Sequence, residues 1–296
     1  MSKLVFDIGG TFIKYALMSD DCSIIKQDKI KTPEYELDAM LEALKGVIDE
    51  YRDSIDGIAF SLPGMMDSEK GYMYSGGSIR CFYQVDFFEL MKRITDLPVA
   101  IENDGKCAAL AELGYGNLKG IANGVVVVLG TGIGGGIIKD GKLYKGSHFS
   151  AGEFSFINIH NTTEFKDVWA VGNSVPGFVA RVEAELGKEQ GSLDGRDVFK
   201  LIEENNEVAC RHFKEYINTL AIQLLNIQAI LDPEIILVGG GVSQQPLLIE
   251  ALQSRLKEMI DANPIYKLPI KVGVCKYFND SNLIGALYNF QQMYSK

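Results

Sequence analysis

The sequence predicts an α/β protein of two lobes that face each other across a cleft. The chain has 296 residues, more than the ~100 to 200 of a typical single domain. A strand, a glycine-rich turn and a second strand open the chain, and the same plan returns after residue 118. Apolar strands and amphipathic helices alternate elsewhere. We therefore expect a first lobe over residues 1–118 and a second over 119–296, and the last helix is a candidate to pack back on the first lobe.

The composition excludes several kinds of partner. Lys and Arg number 29 and Asp and Glu 39, which gives a formal charge of −10. This charge argues against a nucleic acid partner, although backbone N–H groups and a metal ion can still bind a nucleotide. No apolar run near the N-terminus is long enough for a signal sequence or a membrane span, so we expect a cytoplasmic protein. Five scattered cysteines without a CxxC pair indicate reduced thiols.

The first lobe is predicted to begin with a three-stranded meander followed by a helix. Apolar residues at helical spacing mark the helix, Glu36 to Tyr51. The predicted strands are Lys3 to Ile8, Phe12 to Met18, Ile24 to Ile30, Gly57 to Ser61 and Pro98 to Ile101. Further helices are predicted over Asp86 to Thr95 and from Asn103.

The second lobe repeats the opening plan and then becomes mainly helical. Its predicted strands are Val125 to Leu129, Gly135 to Lys139, Glu234 to Val238 and Ile270 to Val274. Its predicted helices are Ser174 to Leu186, Asp194 to Glu204, Glu207 to Leu231, Pro246 to Ile260 and a last helix from Asn282.

The first motif with chemical content is the turn between the first two strands. It carries Asp7, Gly9, Gly10 and Thr11, with Lys14 three residues further on. Glycines let a backbone approach phosphates closely, and Asp7 offers a carboxylate that can hold Mg²⁺ through water. A plain Gly-Gly hairpin is the alternative, but an acidic group closing a buried strand needs a partner.

The second motif, Leu129 to Gly136, is predicted to be another phosphate hairpin. It contains a formal GxGxxG, which is a weak signal without a helix directly after the glycines. A strand is predicted there instead, and Glu153 at the spacing of a ribose-binding acid is then a coincidence. The candidate phosphate-binding residues are Gly130, Thr131, Gly132 and Gly134.

The third motif, Glu102-Asn103-Asp104, follows a buried strand and opens a helix. Asn or Asp at this point is an ordinary helix cap. Three successive polar residues exceed what a cap needs. In phosphoryl transfer a carboxylate such as Asp104 accepts the proton of the acceptor hydroxyl, while Asn103 can fix a sugar by hydrogen bonds.

Together and in this order, the motifs resemble the ROK family (repressors, uncharacterised frames and kinases) of the actin-like, or ribonuclease H-like, ATPase superfamily. The resemblance covers essentially the whole chain. It rests on Asp7 to Thr11, Ser61 to Gly64 with Asp67, Glu102 to Asp104, Leu129 to Gly136, Ala151 to Glu153 and Val238 to Val242.

The resemblance implies an ATP-dependent sugar kinase that uses Mg²⁺ and forms a homodimer. Both hairpins would hold the phosphates, and Asp104 would be the catalytic base. Asn103 and Glu153 would bind sugar hydroxyls. The adenosine would lie at Gly239, Gly240 and Gly241. Repressor members carry an N-terminal DNA-binding segment, whereas this chain begins its first strand at Lys3, which disfavours a repressor.

Two departures from the family pattern concern zinc and the sugar. Many members have a His three residues after the glutamate and a CxCGxxGC zinc motif, but Phe156 stands in the place of this His and no cysteine follows up to Trp169. We expect no zinc, because His148 and His160 alone are a poor ligand set. The glutamate that usually follows the zinc motif also has no clear counterpart.

The acceptor is expected to be a hexose or hexoside, phosphorylated at the 6-hydroxyl. The segment Tyr74 to Arg80 is a candidate lining of the sugar site, with Gly64, Gly76 and Gly77 as contacts. This segment and Ala151 to Phe154 are similar to zinc-free bacterial β-glucoside kinases. A β-glucoside is therefore favoured, glucose and N-acetylmannosamine are alternatives, and a catalytically silent sugar sensor is the hypothesis of a different class.

Overall fold

The computed structural model describes residues 2–33, 36–159, 164–265 and 267–294. Contacts between Cα atoms divide the chain into two compact units. The first unit contains Met1–Lys119, Leu143–Ala151 and Asp280–Lys296, and the second contains Gly120–Lys142 and Gly152–Asn279. Two later segments, one of which contains the last helix, thus group with the first unit, and the lobe boundary at residue 118 stays a prediction.

The first unit holds a five-stranded sheet, a small three-stranded sheet and four of the described helices. Its strands are β1 (Ser2–Ile8), β2 (Phe12–Met18), β3 (Ile24–Lys31), β4 (Ile55–Leu62), β5 (Met65–Asp67), β6 (Tyr72–Ser75), β7 (Val85–Asp86) and β8 (Val99–Asn103). Its helices are α1 (Leu37–Tyr51), α2 (Phe87–Lys92), α3 (Asp104–Tyr115) and, at the end of the chain, α9 (Ser281–Tyr294).

The five-stranded sheet has the order β3-β2-β1-β4-β8. Strand β2 runs antiparallel to β1 and β3, whereas β4 runs parallel to β1 and β8. The rings of Phe6 and Phe60 stack with centroids 4.9 Å apart in its core. Helices α3 and α9 approach closely at Gly285. A Cβ on this residue would lie 1.7 Å from the carbonyl oxygen of Cys107, so the contact requires glycine. The parallel arrangement brings the carboxyl ends of β1, β4 and β8 to one edge.

The second unit is built on a second five-stranded sheet and a helical region. Its strands are β9 (Gly124–Leu129), β10 (Ile133–Lys139), β11 (Lys142–Tyr144), β12 (Ile235–Gly239) and β13 (Val272–Val274), in the order β11-β10-β9-β12-β13. Its helices are α4 (Trp169–Gly172), α5 (Val175–Glu185), α6 (Gly195–Glu203), α7 (Glu207–Leu231) and α8 (Pro246–Ala262).

The predicted helices of the second unit are confirmed with small shifts at their ends. Helix α7 has the predicted bounds, because the Asn206 side chain accepts the N–H of Ala209 and Asp232 ends the helix in the left-handed conformation. Asp194 and Asp197 form a reciprocal capping box at the start of α6. Strand β10 begins at Ile133, within the second glycine motif, which confirms that the GxGxxG does not open a helix.

The small sheet β5-β6-β7 was not predicted. Its strands have two to four residues, too few for a periodic pattern to emerge. Met73 is buried in the core of the first unit, whereas Tyr72 and Tyr74 lie on the other face of β6. Across the described ranges, no helix is long and apolar enough to cross a membrane.

Candidate active site

Asp7 ends the central strand of the first sheet and is held by two amide or hydroxyl donors. Its Oδ1 accepts hydrogen bonds from Ser61 Oγ at 3.1 Å and from Asn282 Nδ2 at 3.0 Å. Its Oδ2 lies 3.8 Å from Lys14 Nζ, and the side chain is 13% exposed. The fixed carboxylate thus keeps one oxygen that can accept from a metal-bound water, which fits an indirectly bound Mg²⁺.

The turn after Asp7 is closed by backbone and side-chain hydrogen bonds. Gly9 N–H donates to the Phe12 carbonyl at 3.0 Å, and Thr32 Oγ1 donates to the Gly9 carbonyl at 2.6 Å. Gly10 and Thr11 are exposed at the tip. A Cβ on Gly10 would meet only the Ser78 side chain, no closer than 3.6 Å, and its backbone is outside the left-handed region. The fold therefore does not require glycine at residue 10.

At the start of α3, the capping role belongs to Asn103. Its Oδ1 accepts the N–H of Lys106 at 3.1 Å, and its Nδ2 donates to the Gly64 carbonyl at 2.9 Å. Asp104 is the first helical residue, is partly exposed and accepts the N–H of Gly105 at 2.8 Å. Because Asn103 already caps the helix, capping does not explain the carboxylate at residue 104.

Glu102 is the buried member of the third motif. It is 1% exposed, and its Oε1 accepts the N–H of Asn103 at 2.9 Å. Its Oε2 accepts Ser68 Oγ at 2.9 Å and lies 3.1 Å from Lys145 Nζ. Lys145 also donates to Ser68 Oγ at 2.5 Å. This group, which we call the Glu102 network, anchors the junction between β8 and α3.

Sequence analysis missed most of the side chains that hold this site. Ser61 is fully buried on the neighbouring strand, and Asn282 begins the last helix. Lys145 lies on a segment more than 40 residues from Glu102. Asp7 and Ser61 lie opposite each other in the parallel pair β1 and β4. Aligning these two predicted strands in parallel is the one step that could have found Ser61 from the sequence.

Gly64, Gly76 and Gly77 are explained by packing within the first unit. Gly64 has φ +98°, and a Cβ there would lie 2.0 Å from the Ser75 carbonyl oxygen. A Cβ on Gly76 would lie 2.0 Å from the Ile79 carbonyl oxygen. Gly77 has φ +56° and lies against Gly64. Packing and backbone conformation already require glycine at these positions, so the glycines give no evidence for or against a sugar contact. That contact stays a prediction.

In the second unit, the turn Gly130 to Gly132 joins β9 to β10. Gly130 N–H donates to the Gly132 carbonyl at 3.0 Å. Thr131 is exposed at the tip. The nearest atom to a Cβ on Gly130 would be 3.9 Å away. Gly134 lies in β10 opposite Val128. As at Gly10, there is free space beside Gly130 at the tip of the turn. Packing within the fold therefore does not require glycine at this position.

The turn Gly239 to Gly241 lies beside the end of β9. Gly240 has φ +90°, and a Cβ there would lie 2.1 Å from the Leu129 carbonyl oxygen, so this glycine serves the fold. A Cβ on Gly239 would contact Cys275 Sγ at 2.9 Å. Gly241 is exposed and a Cβ there would have no atom within 4 Å. The structure thus brings the predicted adenosine turn next to the second hairpin.

Glu153 follows Gly152, which has φ +86°, and a Cβ on Gly152 would lie 3.0 Å from the Gly135 carbonyl oxygen. Glu153 is partly buried and begins a short 3₁₀ turn over Phe154–Phe156. Ser155 fixes this turn to the second hairpin, because its Oγ donates to the Ile133 carbonyl at 2.9 Å and accepts the Ile133 N–H at 3.2 Å. Sequence analysis had assigned no role to Ser155. The residue that replaces the family His, Phe156, is 69% exposed.

The absence of zinc stays a prediction. In the described part of the chain, no three His, Cys, Asp or Glu side chains are grouped as a metal site. His148 is exposed, and His160 lies outside the described residues.

We expect zinc to be substoichiometric in the purified protein and EDTA to leave the thermal unfolding midpoint unchanged. A structural zinc site would contribute directly to folding, so its loss would lower that midpoint. Elemental analysis and thermal unfolding with and without EDTA check this. Stoichiometric zinc whose removal lowers the midpoint would contradict the prediction.

The chain is similar to known proteins over nearly its whole length. The model of the ROK family matches residues 4–293. A β-glucoside kinase of Listeria monocytogenes serovar 1/2a is 30% identical, over 99% of this chain and 98% of its own. A solved ROK family protein of Streptococcus pneumoniae TIGR4, in complex with sucrose, is 32% identical with a TM-score of 0.90, over 100% of this chain and 99% of that one.

A more distant structure agrees in fold. The ROK family glucokinase of Streptomyces griseus superposes with a TM-score of 0.83 at 20% identity, over 97% of this chain and 98% of that one. The predicted α/β fold of the actin-like ATPase class is thereby confirmed. With a family match that spans nearly all of its length, this chain belongs to the ROK family.

Proposed function

We propose that this chain, an ATP-dependent sugar kinase of the ROK family, transfers the γ-phosphoryl group of ATP to the 6-hydroxyl of a β-glucoside. The observation that carries nucleotide binding is the free space at the turn glycines, at Gly10 and Gly130 for the phosphates and at Gly241 for the adenosine. None has a left-handed backbone, and none has an atom of the chain within 3.5 Å of its would-be Cβ. A ligand that needs close approach to the backbone explains these glycines, and phosphate oxygens are such a ligand.

In this proposal the chain's own residues bind, orient and accept a proton. The exposed turns at Gly9 to Thr11 and Gly130 to Gly132 bind the phosphates, with Lys14 beside the first turn. Asp104 accepts the proton of the attacking hydroxyl. When bound, Mg²⁺ would be held by Asp7 through water and would neutralise part of the phosphate charge.

Sugar orientation is assigned to Asn103 and Glu153. Asn103 gives one amide N–H to Gly64, and its second N–H is the group proposed to bind a sugar hydroxyl. Glu153 is proposed to accept from further hydroxyls. In place of a family His, the exposed Phe156 offers an apolar surface. With Phe156 in place of His, one polar contact to the sugar ring is lost and an apolar contact is gained. This exchange favours an acceptor that carries a substituent at C1.

The relatives support the choice of acceptor. The Listeria relative is a β-glucoside kinase. The pneumococcal structure contains sucrose, an α-linked disaccharide, which supports a substituent at C1 but not the β configuration. The alternatives are phosphorylation of glucose or N-acetylmannosamine, and a silent sugar sensor. A homodimer, a cytoplasmic location and the absence of a nucleic acid partner stay predictions from the sequence.

A sugar panel tests this function. Release of ADP is measured with cellobiose, aryl β-glucosides, glucose and N-acetylmannosamine as acceptors. We expect kcat/KM for at least one β-glucoside to equal or exceed that for glucose. A strong preference for glucose or N-acetylmannosamine would overturn the acceptor, and sugar binding without any ADP release would favour the sensor.

Phosphate binding has its own test in Gly10→Ala. A methyl group at residue 10 meets no backbone atom of the fold but would occupy the space assigned to phosphate oxygens. We expect the KM for ATP to rise roughly tenfold while the free energy of unfolding is maintained. The matched control is Gly46→Ala in α1, where a Cβ also meets nothing within 4 Å. Equal ATP kinetics in both variants would refute a phosphate role for the turn.

A further inference from the structure

An aromatic cluster on the first unit is not used by the proposed chemistry. The rings of Tyr74 and Phe149 stack with centroids 5.7 Å apart and planes 21° from parallel. Tyr72 meets Tyr74 edge-on at 5.0 Å. Tyr74 is 39% exposed, and Phe149 is partly exposed. We call Tyr74 and Phe149 the ring pair.

Backbone strain sets Phe149 apart from an incidental surface residue. Its φ of +60° is in the left-handed region, which bulky side chains rarely adopt. Strained residues persist where the surrounding structure holds them, and they concentrate at ligand sites. The adjoining segment is held by the Glu102 network through Lys145, and Ala151 N–H donates to the Lys145 carbonyl at 3.2 Å.

A cavity of about 480 Å³ opens beside the ring pair. Its lining includes the rings of Phe149 and Tyr144, two lysines and two carboxylates, namely Lys70, Lys145, Asp67 and Glu69. Asp67 is 5% exposed, and its Oδ1 accepts the N–H groups of Glu69 and Lys70 at 3.2 and 3.1 Å. Ring faces beside an open depression of this size can pack against one ring of a ligand.

Two chains of contacts connect the ring pair with the catalytic junction. Asn103 bonds the Gly64 carbonyl, and Gly64 lies directly against the backbone of Ser75, the neighbour of Tyr74. On the other side, Lys145 pairs with Glu102, two residues before Asp104. Both contacts tie the ring pair to the end of β8 that precedes Asp104.

We propose that the ring pair and the cavity beside it form the subsite for the aglycone, the group that a β-glucoside carries at C1. The inference rests on the proposed function. A second sugar ring or an aryl group presents an apolar face to Tyr74 and Phe149. Free glucose has no group to fill this subsite.

The test compares phenyl β-glucoside with glucose in Tyr74→Leu and Phe149→Leu. Leucine keeps an apolar side chain and the Cβ but removes the ring face. We expect the ratio of kcat/KM for phenyl β-glucoside over glucose to fall roughly tenfold, through KM rather than kcat. Tyr83→Leu is the control, because Tyr83 is 62% exposed and outside the ring pair. Its ratio should equal that of the unmodified protein.

Two failures can be told apart. If the unmodified protein phosphorylates phenyl β-glucoside but both leucine variants keep its kcat/KM ratio, the subsite is overturned and the proposed function stands. If the unmodified protein phosphorylates glucose and no glucoside, the proposed acceptor fails as well. Calorimetric binding of phenyl β-glucoside gives a readout without turnover, and equal affinity in the unmodified protein and both variants would also overturn the subsite.

Discussion

Replacing Asp104 with Asn is expected to lower kcat by ~10²- to 10⁴-fold on the best sugar, the usual contribution of a general base. The change keeps shape and hydrogen-bonding ability, because the amide oxygen can still accept the N–H of Gly105. Capping is unaffected, since Asn103 performs it. What disappears is the proton acceptor, so the loss should fall on kcat, with the KM for ATP almost unchanged.

A matched control for this variant is Asp38→Asn. Asp38 also lies in the first turn of a helix of the first unit, and its side chain is 86% exposed in an ion pair with Arg93. We expect no more than a small change in kcat there. If Asp104→Asn retains most of its turnover, another group is the base. If it unfolds or loses ATP binding, residue 104 is structural.

Replacing Lys145 with Met is expected to lower the free energy of unfolding by about 3 kcal/mol, because it leaves the Glu102 carboxylate buried without its cation. Glu102 is 1% exposed and Lys145 is 21% exposed in its side chain, so little water can take the place of the lost ammonium group. Urea denaturation measures the change. Activity should fall too, since Glu102 accepts the N–H of Asn103 beside Asp104.

Two further variants make the ion-pair prediction specific. Lys92→Met removes the cation of an exposed pair with Glu89, whose side chains are 69% and 64% exposed, and should change the free energy of unfolding far less than Lys145→Met. Combining Lys145→Met with Glu102→Gln removes the buried charge as well and should recover part of the lost stability. If Lys145→Met lowers the free energy of unfolding no more than Lys92→Met does, the Lys145–Glu102 pair does not anchor the junction between β8 and α3.

Local patterns predicted most elements of this fold because the elements are long and strongly marked. The buried strand β1 and the 25-residue helix α7 each carry periodicity and end signals within the segment itself. The short strands β5, β6 and β7 carry neither. The return of the last helix to the first unit was expected from the sequence, whereas the return of Leu143–Ala151 depends on long-range contacts for which the sequence offered no signal.

For the site, the sequence identified the chemical groups but not the reasons for the glycines. Gly10 and Gly64 look alike in the sequence, yet a Cβ at Gly10 has room whereas one at Gly64 would strike the Ser75 carbonyl. Likewise, Asn103 and Asp104 are both acceptable caps, and only the hydrogen bond from Lys106 distinguishes them. Roles that depend on a partner distant in the chain, such as Lys145 with Glu102, required the structure.

The central claim, phosphoryl transfer to the 6-hydroxyl of a β-glucoside, is tested most directly by ³¹P NMR of the reaction with ATP, Mg²⁺ and cellobiose. The account predicts that the γ-phosphate signal declines as a phosphate monoester signal grows, with coupling to the C6 protons of a glucosyl ring. A phosphate coupled to another ring position would contradict the regiochemistry. Unchanged ATP with every β-glucoside, while glucose is phosphorylated, would contradict the acceptor on which the account depends.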